Sequence, residues 1–331
     1  MLPGVQPRAR AEIYAAYWRF AAERQRIFER RNVDLAPAPW TDDEILACYK
    51  FTNPWRASDR VSQYLISEVI YANTDVSAED LLTRIVLFRL FSRTATWEAL
   101  ESRLGRIVRA TLGSPRLPKV LAELQADGPI YTSAFILCAN KAYGHERKYL
   151  NHLELVRHML RGGRLTRTVA RAPSLQDVYE SLLTFPLIGP FMAYQLAIDI
   201  NYSELLDFSE NDFTVPGPGA ERGIRKIYPD ATRTEMPAII QRMVTEQEGA
   251  CERLGIQAPT LFGRPLRAID CQNLFCELDK YARVRFPELV SNRSRIKTRF
   301  VASPEPLKLF YPPKWGINDR LPGDARIAKA A

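Results

Sequence analysis

This 331-residue sequence contains no run of 18 or more apolar residues, so no hydrophobic transmembrane helix is expected. Its first residues, MLPGVQPRARAEIYAAYWRF, lack an apolar core followed by a small-residue cleavage site, which points to no secretory leader and to the cytoplasm. Cysteine is sparse: Cys48, Cys138, Cys251, Cys271 and Cys276 are scattered and odd in number, which excludes a disulfide framework and makes reduced thiols the expectation. Cys271 and Cys276 have no second pair nearby, so neither a four-cysteine cluster nor a four-ligand zinc site is expected. Only three histidines occur (His145, His152 and His158), without ligand spacing, and neither metal nor cofactor is anticipated. No G-x-x-x-x-G-K-[ST] phosphate loop, internal repeat, low-complexity tract or convincing strand series is visible.

What is present is helical periodicity and positive charge. Hydrophobic residues make up 46% and charged residues 25%, as in an ordinary globular protein. The net charge of +8 and pI near 9.3 suit a phosphate-bearing partner, although many enzymes are equally basic. Apolar spacing and caps predict helices over 9–31, 42–50 (with Thr41 and Glu44 as a capping box), 59–71, from Ser77 through LLTRIVLFRLFSR, and over 96–112 and 117–126. Further helices are expected over 131–142, 147–161 (ending at Gly162–Gly163), 175–184, 190–200, 220–227, 234–254 and 270–285. The expectation is an all-α protein: one large helical unit over 1–300, with two lobes around a cleft, and a basic, Pro-rich tail over 301–331.

Several clusters could carry chemistry. FPLIGP lies between two predicted helices. Backbone N–H groups near Ile188, Gly189 and Pro190 would face an anionic oxygen at a helix start, with Gly189 permitting close approach and Pro190 fitting the first turn. An ordinary helix–turn–helix corner is the alternative. Gln272, Asn273, Glu277, Lys280 and Tyr281 could read a base or sugar, most of them sharing one helix face, or could form surface pairs. Asn53, Trp55, Arg56, Arg60 and Gln63 suit base stacking and phosphate contacts, or else a buried network bracing two helices. Lys141 and His145 are further DNA candidates. Arg293, Arg295, Lys297 and Arg299 would line an extended segment against a backbone, or form a solvated tail.

The stretch Phe185-Pro186-Leu187-Ile188-Gly189-Pro190-Phe191-Met192-Ala193 resembles the helix-hairpin-helix DNA glycosylase pattern L-P-G-[VI]-G-x-x-x-A, with Leu187 in place of the first Gly. Asp212 then falls near the place of that pattern's catalytic Asp. YKFTNPWRASDRVSQYLI (49–66), RIVLFRLFSRTATWEAL (84–100), SENDFTVPGPGAERGI (209–224) and IDCQNLFCELDKYARV (269–284) resemble a DNA base-hypermodification family. That family covers the helical domain of 5-hydroxymethyl-deoxyuridine DNA kinases and the α-glutamyl/putrescinyl-thymine pyrophosphorylase clades. It is similar in fold to DNA glycosylases, and includes anti-phage glycosylases that excise glucosylated hydroxymethylcytosine.

The resemblance implies a glycosylase hydrolysing the N-glycosidic bond of a hypermodified pyrimidine in phage DNA, with no membrane and no obligate protein partner. Asp212 would stabilise positive charge on the sugar or activate water, Asn211 would position water or sugar, and Glu210 is a fallback carboxylate; Asp212 as a mere turn cap is the alternative. Phe191 stands where some glycosylases carry a Schiff-base Lys, so no lyase step is expected. The second reading is a transferase or pyrophosphorylase that alters the base's exocyclic carbon and leaves the glycosidic bond intact. The third is a non-catalytic module that binds modified DNA. The missing phosphate loop ranks a kinase below these.

Overall fold

A computed structural model describes residues 8–72, 75–132, 141–289, 296, 298–301, 305–323 and 326–327. Among them the helices run α1 (Ala11–Asn32), α2 (Glu44–Cys48), α3 (Arg60–Tyr64), α4 (Ala78–Phe91), α5 (Thr94–Leu104), α6 (Arg116–Asp127) and α7 (Lys148–Leu160). They continue as α8 (Arg164–Arg171), α9 (Leu175–Leu183), α10 (Pro190–Asn201), α11 (Pro218–Ile227), α12 (Met236–Arg253) and α13 (Ala268–Arg285). Extended pairing among the described residues is limited to three isolated bridges, so the protein is all-α. Contacts divide the chain into two units, Arg60–Ser209 and the combined segments Met1–Asp59 and Glu210–Ala331.

The unit formed by both chain ends is organised around α13, whose buried residues occupy nearly every turn from Ala268 to Ala282. Its closest neighbour is α11, and two glycines explain the approach. A Cβ on Gly223 would lie 1.9 Å from the Phe275 carbonyl oxygen, and one on Gly219 would lie 2.3 Å from Cys276 Sγ. Glycine is therefore required at 223, where two helix backbones meet, while at 219 a Cβ would displace the Cys276 side chain. Helix α1 adds an aromatic layer: Tyr17 lies 4.8 Å from Phe275 and Phe20 lies 5.2 Å from Tyr281, ring centre to ring centre. In the Pro-rich end, Leu309 and Tyr311 are fully buried, and the Tyr311 hydroxyl meets Ser58 Oγ at 2.9 Å.

The unit Arg60–Ser209 is built on α4 and α10, which are apolar nearly all round and hence central. Two arginines of α4 are nonetheless buried. Arg89 forms a two-pronged pair with Asp199 of α10, in which Nη2 donates to Oδ1 at 2.8 Å and Nε donates to Oδ2; both side chains are wholly buried. Arg84 donates to the carbonyls of Val69 (3.0 Å) and Glu68 (3.1 Å). Those carbonyls end the π-helical segment Leu65–Ile70, where a helix terminus leaves acceptors unused.

Helix boundaries follow the periodicity to within a few residues, with informative exceptions. The cap of α2 is Asp43, which accepts from the Ile45 and Leu46 N–H groups at 2.9 Å, while Thr41 Oγ1 instead bonds Glu23 and the Asp43 N–H. The segment expected as one helix over 96–112 breaks at Gly105, whose φ is +76°. Helix α8 was not anticipated, because RLTRTVAR offers only two apolar residues at helical spacing, Leu165 and Val169. The helix expected over 131–142 falls mostly on 133–140, outside the described residues, as do Cys138, Arg293, Arg295 and Lys297.

Candidate functional site

The unit Met1–Asp59 with Glu210–Ala331 contains a buried polar centre assembled from the 49–59 loop, the 210–212 turn, Arg264 and α13. The loop is held by its own backbone. The Thr52 N–H donates to Glu277 Oε2 at 2.9 Å, and the Arg56 N–H donates to Asp270 Oδ1 at 2.9 Å. Arg24 of α1 reaches the Thr52 carbonyl at 3.1 Å and Asn53 Oδ1 at 2.6 Å. Burial lowers the Arg24 value to about 10, against the raising effect of Asp59 and Glu277. Asn53 also donates from Nδ2 to the Ser58 carbonyl at 2.8 Å, and its N–H donates to Asp59.

At the start of α13 two carboxyls lie close enough to sense each other. Asp270 Oδ2 accepts the Arg267 N–H at 3.0 Å, and its value is pushed up to about 7, chiefly by burial and then by the negative charge of Glu210. Glu210 is 4% exposed and accepts from Arg264 Nη2 at 2.5 Å through one oxygen; its other oxygen, Oε1, has no partner. The Arg264 guanidinium lies 3.9 Å from the Trp315 ring centre. Gln272 Oε1 and Trp55 Nε1 are also buried without a hydrogen bond. Buried polar atoms without partners are uncommon in folded proteins, and Glu210 Oε1, on a carboxylate whose charge reaches Asp270, has bonding capacity to spare.

The remaining candidates occupy varied environments. Asn211 caps α13: its Oδ1 accepts the Ala268 N–H at 3.0 Å, and its carbonyl accepts from Gln241. Asp212 is exposed, whereas a carboxylate stabilising a sugar cation needs a desolvated setting. Glu277 is buried and bonded to Lys280 Nζ at 2.6 Å; burial lowers the lysine's affinity for its proton, but Glu277 and Cys276 raise it further, so the net direction is upward. Tyr281 donates to Asp43 Oδ2 at 2.7 Å, which together with burial pushes its hydroxyl up. Asn273 is half-buried on the same helix.

In the other unit the turn 184–189 joins α9 to α10. Leu187, which stands where the resembled pattern has Gly, adopts φ +69°, the left-handed conformation that glycine would occupy without strain. Gly189 and Pro190 are exposed and Ile188 is buried beneath them. Neither the Leu187 nor the Gly189 N–H finds an acceptor among the described residues. Arg60 is exposed and Gln63 buried, while Lys141 is exposed and paired with Glu146. Burial, then the charge of Lys148, lowers His152 to about 3, leaving it neutral beside the Tyr131 hydroxyl at 3.0 Å. No cluster of three metal-ligating side chains occurs among the described residues. No described helix is long and apolar enough to cross a membrane.

A family model described as "5-hmdU DNA kinase, helical domain" matches residues 11–291. The chain belongs to this family. It is also 27% identical over 297 residues to the 5-hmdU DNA kinase of Bacillus phage SP10, an alignment covering 83% of this chain and 46% of that protein. The chain thus spans under half the length of this curated relative. No solved structure matches it.

These matches overturn the glycosylase reading. The named relative is a kinase, a group-transfer enzyme, so hydrolysis of the N-glycosidic bond, the hydrolase class and the question of a lyase step are all withdrawn. The matched family is a helical domain, so a missing phosphate loop within these residues carries no weight against kinase chemistry. The four phrases that suggested the family supply Asn53, Arg56, Arg84, Arg89, Glu210, Asp270 and Glu277, which are the interior polar groups described above. Arg264 and Trp315 were not anticipated. They lie 54 and 105 residues from Glu210 in sequence, and no local pattern links them.

Proposed function

We propose that this chain binds DNA carrying a hydroxymethylated pyrimidine and serves group transfer onto the base's exocyclic hydroxymethyl oxygen, with the glycosidic bond left intact. The family match across 11–291 carries this reading. In the phosphoryl case the hydroxymethyl oxygen attacks the terminal phosphorus of a nucleoside triphosphate. The bond from that phosphorus to the leaving diphosphate breaks, and the hydroxyl proton passes to a base. Such reactions depend on positioning and electrostatics more than on covalent participation by the protein.

The buried centre supports this chemistry with its residue types. Glu210 Oε1 is the carboxylate oxygen left without a partner, and it is the group we assign to accept the hydroxyl proton. Arg264, held against Trp315, sets its positive charge against Glu210. Asp270, raised to about 7, exchanges its proton near neutrality and would buffer the pair. The turn at Leu187 and Gly189 supplies backbone N–H groups of the kind that bind a DNA phosphate.

The test incubates the protein with a duplex containing 5-hydroxymethyl-deoxyuridine and ATP, digests the DNA, and weighs the nucleosides. A phosphorylated or otherwise enlarged nucleoside with its sugar attached is the expected product. Free base and abasic sites would overturn the reading. Selective binding of the modified duplex without any mass change would favour a binding module.

A further inference from the structure

Helix α8 carries a positive face that the polar centre does not use. Leu165 and Val169 are buried on one side, while Arg164, Arg167 and Arg171 are exposed at i, i+3 and i+7 on the other, and exposed Arg161 precedes them. None of these four arginines has a carboxylate partner among the described residues. Arg84, Arg109 and Arg157 of the same unit, by contrast, pair with Glu101, Glu79 and Glu154. Like charges at helical spacing repel one another, and an external anion relieves that repulsion.

The row also has a fixed end. The Arg164 guanidinium lies 4.7 Å from the Phe185 ring centre and donates to Thr184 Oγ1 at 3.3 Å, so the row begins at the 184–189 turn. There the Leu187 and Gly189 N–H groups lack acceptors. Arg164, Arg167 and Arg171 border a surface recess of about 420 Å³ whose one acid, Asp177, is bonded to Ser174. From Arg164 to Arg171 the helix rises about 10 Å, the axial length of roughly three nucleotides of one strand.

We propose that the outer face of α8 is a phosphate-backbone track that continues the grip of the 184–189 turn along the DNA flanking the target base. The inference rests on the DNA reading above and adds a surface to it. A sugar-phosphate strand fits because it offers evenly spaced single negative charges, and guanidinium groups bind phosphate through planar paired donors.

Affinity for a duplex, with and without 5-hydroxymethyl-deoxyuridine, is measured as a function of salt for the full chain. Arg167→Ala/Arg171→Ala is compared with wild type and with Arg116→Ala/Lys119→Ala, a basic pair on α6 used as control. Each phosphate contact contributes about 0.9 to the slope of log affinity against log salt. The α8 double variant is expected to lose roughly 1 to 2 from that slope, equally on modified and unmodified DNA, with an unchanged melting temperature; the control is expected to keep the wild-type slope. An unchanged slope in the α8 variant, with wild type still binding, would overturn this inference alone. Failure of wild type to bind any DNA would sink both this track and the DNA reading. Adding a cation by Thr168→Arg is expected to steepen the slope, and a flat response there would count against the track even if the double variant folded poorly.

Discussion

Two arginine–carboxylate pairs, one in each unit, are finished to different degrees. Arg89 and Asp199 are wholly buried and joined by two hydrogen bonds. Arg264 and Glu210 share a single bond, leave Glu210 Oε1 and Arg264 Nε unpartnered, and sit beside Asp270, a carboxyl raised to about 7. The first pair is what a fold needs in order to bring two apolar helices together with their charges neutralised. The second retains bonding capacity that folding does not consume, as a group reserved for substrate would.

The largest effect is expected at the closed pair. Arg89→Ala strands the Asp199 charge in the interior and should cost about 3–5 kcal/mol, read as a fall in urea midpoint. Arg89→Met/Asp199→Leu should recover most of that loss, since well-packed apolar pairs replace buried ion pairs at little cost. If the double variant is as unstable as the single, the pair does more than neutralise itself. At the open pair, Glu210→Gln keeps the side chain's shape and loses one charge-assisted bond, about 1.5–3 kcal/mol, but should abolish group transfer. Equal losses of stability and activity at both pairs would erase the distinction.

Asp270 offers a pH reading of the same contrast. Its folded value, about 7, lies above its ordinary value of 3.8, so the folded protein holds this proton more tightly. Stability from this group is therefore fully present below about pH 4 and is lost as pH rises through 7. Asp270→Asn should flatten the denaturation midpoint between pH 4 and 7 and leave any other pH dependence in place. A wild-type midpoint that rises over that interval by the amount the variant also shows would place the titration elsewhere. The smallest effect is expected at exposed Asp212, where Asn should change stability by less than about 0.5 kcal/mol and leave transfer intact.

The helices were legible because their signal is local. Apolar periodicity placed α4, α7, α10, α12 and α13 almost to their ends, and Ser77 and Ser174 cap α4 and α9 through the Asp80 and Asp177 N–H groups as read. Helix α8 escaped because its exposed side is nearly all arginine and its buried side holds two residues. The polar centre was legible only as phrases. Asn53, Arg56 and Glu277 could be singled out, but the bonds that join Thr52 to Glu277 and Arg56 to Asp270 cross more than two hundred residues. The Arg89–Asp199 pairing is hidden for the same reason, since the two residues are 110 apart. The glycosylase chemistry rested on a hairpin-like spacing and is overturned by the family match and the kinase relative. Asp212 sits at a suggestive sequence distance from Gly189, yet the structure exposes it, while neighbouring Glu210 is buried.

The most direct test is the mass of the target nucleoside after the wild-type protein, and separately Glu210→Gln, meets 5-hydroxymethyl-deoxyuridine duplex and ATP. The account predicts an enlarged nucleoside with its sugar still attached from wild type and unaltered nucleoside from the variant. Free base from wild type, or an enlarged nucleoside formed equally well by Glu210→Gln, would contradict it.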